Sequence, residues 1–509
     1  MLHKFLSESI WTPTNTKRII RNSLQLIYAR KRNVHTIPNN ITKVSSEVNP
    51  DLYNMIRFYI HNAISYAEPK WVDDTRKFYP YYSDEHVKHR VAGIINIMDS
   101  CERYVEVNFP VKMDDGSYKS FKGIRAEYSQ HKLPVAGGTR FWPTEDESGV
   151  KGLAALMTVK LACSSIPWGG AKGAILLDPT SYSENELESI VRRYALELSK
   201  RKFLYKTYKT YVTSETSVGT KGKPLQSDGR EIVLNVHKFF SEEFESLKNR
   251  RPTISVSDIM GRTATKGAQA AGYGLYLAVD NFINEKPWMD AIGLTVGWAD
   301  KTVIVQELIN YENNNGSTIG YPKAEKYAGD ERKLLQESCD ILVPAKYQKT
   351  ITPEIAREIK AKIIAEGANG CTTPAAHNTL LKKKVLVIPD LYANSGGAIA
   401  VYHEWLTNIR HVSFGRLAGK YNKDSYYHLF DTVEKSVKEH IKDAKITPTK
   451  EFLVRLRNDP EEEIMKSELE YTFEFTCLQY GLNLDLRTAA YIYALDKIFT
   501  TYEETGLVL

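Results

Sequence analysis

In the stretch Ile166-Pro-Trp-Gly-Gly-Ala-Lys-Gly-Ala-Ile175, one lysine, Lys172, follows two glycines and an alanine. Small neighbours let backbone and ligand approach closely, so the ammonium of Lys172 can reach a buried carbonyl and polarise it. The second chemical signal is an absence. The strand-like run Lys301-Thr-Val-Ile-Val-Gln306 has the form that opens onto a glycine-rich phosphate loop, yet it continues as Glu307-Leu-Ile-Asn-Tyr-Glu-Asn-Asn-Asn315. A reactive amine is in place, and the cradle for a nucleotide's phosphates is not.

The elements that must hold these groups follow from apolar periodicity. Helical spacing covers Asp51 to Ala67, Glu85 to Met98 and Gly149 to Cys163, while Tyr104 to Val111 alternates as a strand does. Ser183-Glu-Asn-Glu186 is a capping box that starts a helix ending near Ser199. The Lys172 turn therefore lies between a helix and a short strand, Ala174 to Leu177. Tyr205 to Gly229 is dominated by Lys, Thr, Ser and Gly and reads as an exposed loop. Helices follow at Glu231 to Leu247, Gly267 to Ile283 and near Glu331 to Ser338. They alternate with strands at Thr302 to Gln306, Asp340 to Val343, Ala361 to Ala365 and Val385 to Ile388. That alternation predicts a parallel α/β sheet, and the last hundred or so residues read as mainly helical.

A chain of 509 residues with 42% hydrophobic content can bury more than one core. Its net charge of +6 is small for this size and is concentrated near the start, so it carries no nucleic-acid footprint. The five cysteines are scattered, odd in number and never spaced C-x-x-C, which argues against a disulfide framework or a zinc cluster. No metal site is expected. No apolar run approaches the roughly 18 residues that span a bilayer. The opening segment carries Lys4, Lys17, Arg18, Arg21, Arg30, Lys31 and Arg32 against the single acid Glu8, the composition of a mitochondrial transit peptide. Residues 1–35 are assigned to it, a retained basic helix being the alternative, and the matrix is the expected location.

Six segments agree in order and spacing: Gly137-Gly-Thr-Arg140, Leu156-Met-Thr-Val-Lys160, Pro167-Trp-Gly-Gly-Ala-Lys172, Ala361-Lys-Ile-Ile-Ala-Glu-Gly-Ala-Asn369, Ile388-Pro-Asp-Leu-Tyr392 and Leu484-Asp-Leu-Arg-Thr-Ala-Ala490. Together they resemble glutamate dehydrogenase of the animal, mitochondrial, hexameric type, within the Glu/Leu/Phe/Val dehydrogenase family. The resemblance implies an α/β protein with an N-terminal substrate and oligomerisation domain over 36–258. A Rossmann-like domain over 259–400 would lack one βαβ unit after Gln306, and antenna-like and C-terminal helices would fill 401–509. It implies hydride transfer between the Cα of glutamate and NAD or NADP, giving 2-oxoglutarate and ammonia, in a homo-hexamer or a hetero-oligomer with a paralogue. Lys172 matches the catalytic lysine. Lys160 and Arg140 match substrate-carboxylate residues, though each could equally be an ion-paired scaffold residue. Asn369 matches a residue near the nicotinamide ribose, and Gln130 and His131 stand where the family contacts nucleotide; all three could now serve only to hold the fold. The helical stretch from Arg410 to about Glu463 resembles the family's antenna, with an ordinary exposed hairpin as the alternative.

The departures are equally specific. Ala136 stands where the family has a lysine for the side-chain carboxylate, and Val401 where it has a serine for the same group. Hydrogen bonds to charged groups contribute roughly 1.5–3 kcal/mol each, so losing both weakens glutamate binding by about two or more powers of ten. The segment that supplies a catalytic aspartate is replaced by Tyr211-Val-Thr-Ser-Glu-Thr-Ser-Val218, with Glu215 or Asp228 as candidate substitutes. Beyond Gln306 the resemblance resumes only past a gap of roughly 30 residues, one βαβ unit. Gly272-Tyr-Gly274 is no replacement, because it lies in a helix and lacks a third glycine. Regulatory nucleotide positions are altered as well, at Met260-Gly-Arg262 and Gly272-Tyr-Gly274. Two readings remain: a glutamate dehydrogenase of impaired activity, and a non-catalytic homologue acting as a structural or regulatory subunit.

Overall fold

The computed structural model describes residues 35–201, 203, 210–214, 271–306, 331–402, 432–437, 477 and 479–505. Residues 1–34 of the expected transit segment, the helix expected over 231–247, Glu215, Asp228, Met260-Gly-Arg262, Glu307 to Asn315 and most of 410–463 lie outside them.

Helix α1, Leu52–Phe78, opens on Asp51, whose carboxylate accepts from the Asn54 amide at 3.0 Å. The helix was expected to end near Ala67, ahead of Pro69, but it continues through the proline. Tertiary contacts offset the lost backbone hydrogen bond: Trp71 stacks on Phe499 at 4.4 Å, and Asp496 accepts from Trp71 Nε1 at 2.9 Å and Lys70 Nζ at 2.8 Å. Helix α2, Asp84–Met98, is capped by Ser83.

The first sheet is built from β1, Arg103–Lys112, β2, Tyr118–Ser129, and β3, Val135–Phe141. Helix α3, Glu147–Cys163, leads into β4, Gly169–Ile175; helix α4, Glu184–Lys200, follows, and β5, Thr210–Ser214, completes the sheet. The strand order is β1-β2-β4-β3-β5, with β2 antiparallel to β4 and β3 parallel to both β4 and β5. The Ser183 capping box starts α4 as expected.

Two expectations are overturned here. The lysine segment is the central strand β4 and not a turn before a strand at Ala174. Its glycines, poor strand formers by propensity, are there because nothing larger fits. A Cβ on Gly170 would stand 2.2 Å from Thr158 Oγ1, and one on Gly137 of β3 would stand 1.6 Å from the Ala171 carbonyl oxygen. Within the stretch read as an exposed loop, Thr210–Ser214 is a strand on the open edge of β3, consistent with its β-branched and aromatic Thr-Tyr-Val-Thr content.

The second sheet comprises β6, Val303–Val305, β7, Ile341–Val343, β8, Ile363–Ala365, and β9, Leu386–Ile388, all parallel and in the order β6-β7-β8-β9. Helix α5, Pro374–Lys382, connects β8 to β9, and helix α6, Leu486–Thr505, closes the described chain. A helical stretch over 271–283 approaches so closely that a Cβ on Gly274 would stand 2.7 Å from Gly396 Cα. One apolar cluster includes Ile124 and Ala126 of the first sheet, Ile363 and Ile388 of the second, and Tyr491 of α6. A separate cluster around Phe109, Ile190 and Tyr194 packs the other face of the first sheet. Among the described residues no helix is long and apolar enough to cross a membrane, and no group of His, Cys, Asp and Glu could hold a metal.

Candidate functional site

Lys172 sits mid-strand in β4, registered with Ala126 of β2, and is 3% exposed. Side chains alternate along strands, so Gly170, Lys172 and Ala174 share one face with Ala136 and Arg140 of β3, which are registered with Gly170 and Ala174. Helix α3 crosses this face at Gly170, through Thr158. The glycines thus bring the helix onto the sheet, and the same close fit buries the lysine.

Lys160, in the last turn of α3 and 7% exposed, reaches across to the loop after β8, where Nζ donates to Asn369 Oδ1 at 2.6 Å. Asn394 Nδ2 donates to the same oxygen at 3.1 Å and to the Gly367 carbonyl at 3.0 Å. An ammonium and an amide converging on one oxygen form the donor set that a carboxylate oxygen accepts. Sequence reasoning missed Asn394, although it sits next to the recognised Ile388-Pro-Asp-Leu-Tyr392 segment and just ahead of Gly396 and Gly397.

The loop carrying Asn369 is fixed by buried charge. Arg487 of α6 donates from Nη2 to Glu366 Oε1 at 2.6 Å and from Nη1 to Asp390 Oδ1 at 3.3 Å. Asp390 Oδ2 accepts from the Gly370 amide at 2.7 Å, Glu366 Oε2 accepts from the Asp390 amide at 3.0 Å, and the Thr372 hydroxyl donates to Glu366. The Arg487 guanidinium lies 5.0 Å from the Tyr59 ring centroid. Burial opposes its charge, but the Glu366 and Asp390 carboxylates and Tyr59 hold its pKa well above the ordinary arginine value. Buried backbone and carboxylates satisfy one another here, and Asn369 is held in a fixed place.

Arg140, 9% exposed, is committed to Glu145, to which Nε donates at 2.6 Å and Nη2 also donates, while its guanidinium lies 4.9 Å from the Trp142 centroid. This is the ion-paired arrangement. Gln130 Nε2 donates to Glu127 Oε2 at 3.0 Å. His131 Nδ1 lies 3.0 Å from Ser129 Oγ, which in turn lies 3.0 Å from the Tyr502 hydroxyl of α6. Burial, with the Lys132 charge beside it, pushes the His131 pKa down to about 4. These contacts tie the end of β2 to the last helix. Ala136 is buried and Val401 half-buried against the same apolar cluster, and the next residue, Tyr402, packs edge-on to Trp168 at 5.2 Å.

The described residues do not fit a dinucleotide. In doubly wound sheets the ligand lies where the strand order reverses. Here the described order runs β6-β7-β8-β9 without reversal, leaving β6 at an edge with Val303 45% and Val305 37% exposed. The first glycine after Gln306 is Gly316.

The Glu/Leu/Phe/Val dehydrogenase dimerisation-domain family matches residues 101–209, and the glutamate/leucine/phenylalanine/valine dehydrogenase family matches residues 290–452. The chain is 29% identical over 490 residues to the mitochondrial glutamate dehydrogenase of Dictyostelium discoideum, covering 87% of this chain and 93% of that one. It is 30% identical over 350 residues to the NAD-specific glutamate dehydrogenase of Peptoniphilus asaccharolyticus, covering 62% and 80%. The crystal structure of hetero-hexameric glutamate dehydrogenase from Thermus thermophilus in its leucine-bound form shares the fold, with a TM-score of 0.59 at 20% identity over 82% of this chain and 93% of that chain.

Proposed function

Because the chain belongs to the Glu/Leu/Phe/Val dehydrogenase family, we propose that it retains the amino-acid half of a glutamate dehydrogenase site and has lost the dinucleotide half. On this reading it binds an amino or 2-oxo acid and turns it over poorly or not at all, serving as a subunit of a glutamate dehydrogenase-like hexamer in the mitochondrion. The relative from Dictyostelium discoideum supports the mitochondrial part, and the hetero-hexamer from Thermus thermophilus offers a precedent for unlike subunits in one assembly.

On the amino-acid side, Lys160 and Asn394 would hold the 1-carboxylate in the place Asn369 Oδ1 now fills. Lys172, buried on the neighbouring strand face, would polarise the 2-carbonyl or activate water. On the cofactor side, what supports the reading is the sequence after β6, which has no glycine between Gln306 and Gly316, together with the place of β6 at the end of the described strand order.

Calorimetry of the purified chain with NADH tests the reading directly. No specific heat is expected, and micromolar binding would overturn it, as would glutamate-dependent reduction of NAD or NADP by this chain alone. Light scattering should return a hexameric mass for the chain or for its mixture with an active paralogue; a monomer in both would remove the assembly role.

A further inference from the structure

A single turn joins the two lysines of the amino-acid side, Lys160 in the last turn of α3 and Lys172 on β4. The Ser165 amide donates to the Ala162 carbonyl at 3.1 Å, and the Ile166 amide to the Leu161 carbonyl at 2.9 Å. This pair of bonds closes a helix through one left-handed residue, which here is Ser165 at φ 58°. Glycine is the usual occupant because a side chain is strained in that region, so a serine there needs a reason.

The reason lies on α6. Lys497 Nζ donates to Ser165 Oγ at 2.6 Å and to the Ala162 carbonyl at 3.2 Å, and it sits 3.9 Å from the centroid of the Tyr493 ring one turn back. An ammonium among the last carbonyls of α3 also complements the negative end of that helix. At the start of α6, Arg487 holds Glu366 and Asp390, and Asp390 accepts from the Gly370 amide beside Asn369. One helix therefore grips both partners of the Lys160–Asn369 bond, at points about 15 Å apart along its axis.

We propose that Lys497 is a positioning residue of the amino-acid site: by clamping the turn after Lys160, it fixes where the Lys160 ammonium meets a ligand carboxylate. This role rests on the amino-acid half of the function proposed above. Lys497 acts through the Ser165 and Ala162 oxygens rather than on the ligand, and the hydroxyl that a glycine would lack is what it holds.

The purified full-length chain and its variants are titrated by calorimetry with 2-oxoglutarate and with 2-oxobutanoate, and their melting temperatures are measured alongside. For whichever acid the parent binds, Lys497→Met should bind about fivefold weaker, and Lys497→Arg should restore most of the affinity. Ser165→Gly separates positioning from stability: relief of the left-handed strain should hold or raise the melting temperature while the affinity falls several-fold. Lys70→Gln removes the bond from α1 to Asp496, the residue before Lys497, and should leave the affinity as it is. Parental affinity in Lys497→Met or in Ser165→Gly overturns the proposal. An equal loss in Lys70→Gln also overturns it, because any loosening of α6 would then have the same effect. If the parent binds neither acid, the amino-acid half of the function falls and deuterium exchange decides the clamp by itself. Amides of residues 164–172 should exchange faster in Lys497→Met and in Ser165→Gly than in the parent, and unchanged exchange overturns the clamp.

Discussion

Strands β4 and β6 resemble each other in sequence role, since each ends a run of small or β-branched residues where chemistry would be expected, but they occupy opposite places in their sheets. β4 is paired on both sides, by β2 and β3, and every residue from Gly169 to Ile175 is buried. β6 is paired among the described residues only with β7 and leaves Val303 and Val305 exposed. A side chain on a strand fixed along both edges has little freedom, so Lys172 keeps its orientation whether or not a ligand is bound. A loop leaving an edge strand is fixed on one side only. Packing therefore fixes β4 along both edges, whereas among the described residues β6 is fixed along one only.

The strongest way to break this contrast is at the seam between the two sheets. Replacing Arg487 with methionine would leave Glu366 and Asp390, both fully buried, without their cation. A loss of about 3–5 kcal/mol is expected on thermal or urea unfolding. A change of under about 1 kcal/mol would mean that water reaches these carboxylates, and Asn369 would then not be rigidly held.

A smaller pair of effects should have opposite signs. Gly137→Ala pushes a methyl into the Ala171 carbonyl of β4 and should cost about 1–3 kcal/mol or more through backbone displacement. Gly272→Ala, in the helical stretch over 271–283, meets nothing within 4 Å and should stabilise by roughly 0.5–1 kcal/mol. Denaturant midpoints for the two variants decide this. If both destabilise, the helix is more constrained than its open surroundings indicate.

Much of this contrast was legible in the sequence, and the exceptions have physical causes. Helices with wide apolar stripes and explicit caps, such as α4 behind Ser183, could be read directly because their signals are local. β4 was misread because glycine runs look like turns, and only the surfaces of α3 and β3 reveal why no side chain fits. Thr210–Ser214 was misread because its polar flanks outweighed five residues of strand propensity. Lys172 was recognisable from its flanking motif. The partners of Lys160 and Arg140 were not: one is 209 positions away at Asn369, and the other, Glu145, is only five away but across a turn. The lack of a glycine directly after Gln306 was visible in the sequence, whereas the order β6-β7-β8-β9 among the described strands required the pairing itself.

Acidification should act more gently. Burial and the neighbouring His61 charge push the His35 pKa down to about 4, and burial and Lys132 do the same for His131. Both histidines fold in the neutral form, so between their unfolded value near 6.5 and about 4 the unfolded chain binds more protons. Stability should accordingly be complete above pH 6.5 and fall as the pH drops toward 4. His35→Gln and His131→Gln should each flatten part of that slope in melting-temperature profiles. An unchanged profile in both variants would assign the acid sensitivity elsewhere.

The smallest expected effect tests the exposed face of β6. Val303 points outward from β6 and is 45% exposed, so Val303→Lys should change unfolding free energy by no more than about 0.5 kcal/mol. Ile304, on the opposite face of the same strand, packs against the apolar cluster around Leu342 and Ile364, and Ile304→Ala should cost more than Val303→Lys. An edge strand bearing lysine also resists pairing with other chains, so the Val303 variant should be at least as soluble as the parent chain. A loss of several kcal/mol at Val303, measured by urea unfolding, would mean that the outer side of β6 is covered in the folded protein. Both faces of β6 would then be packed, and the contrast with β4 would rest on its single described neighbour and on the missing glycines.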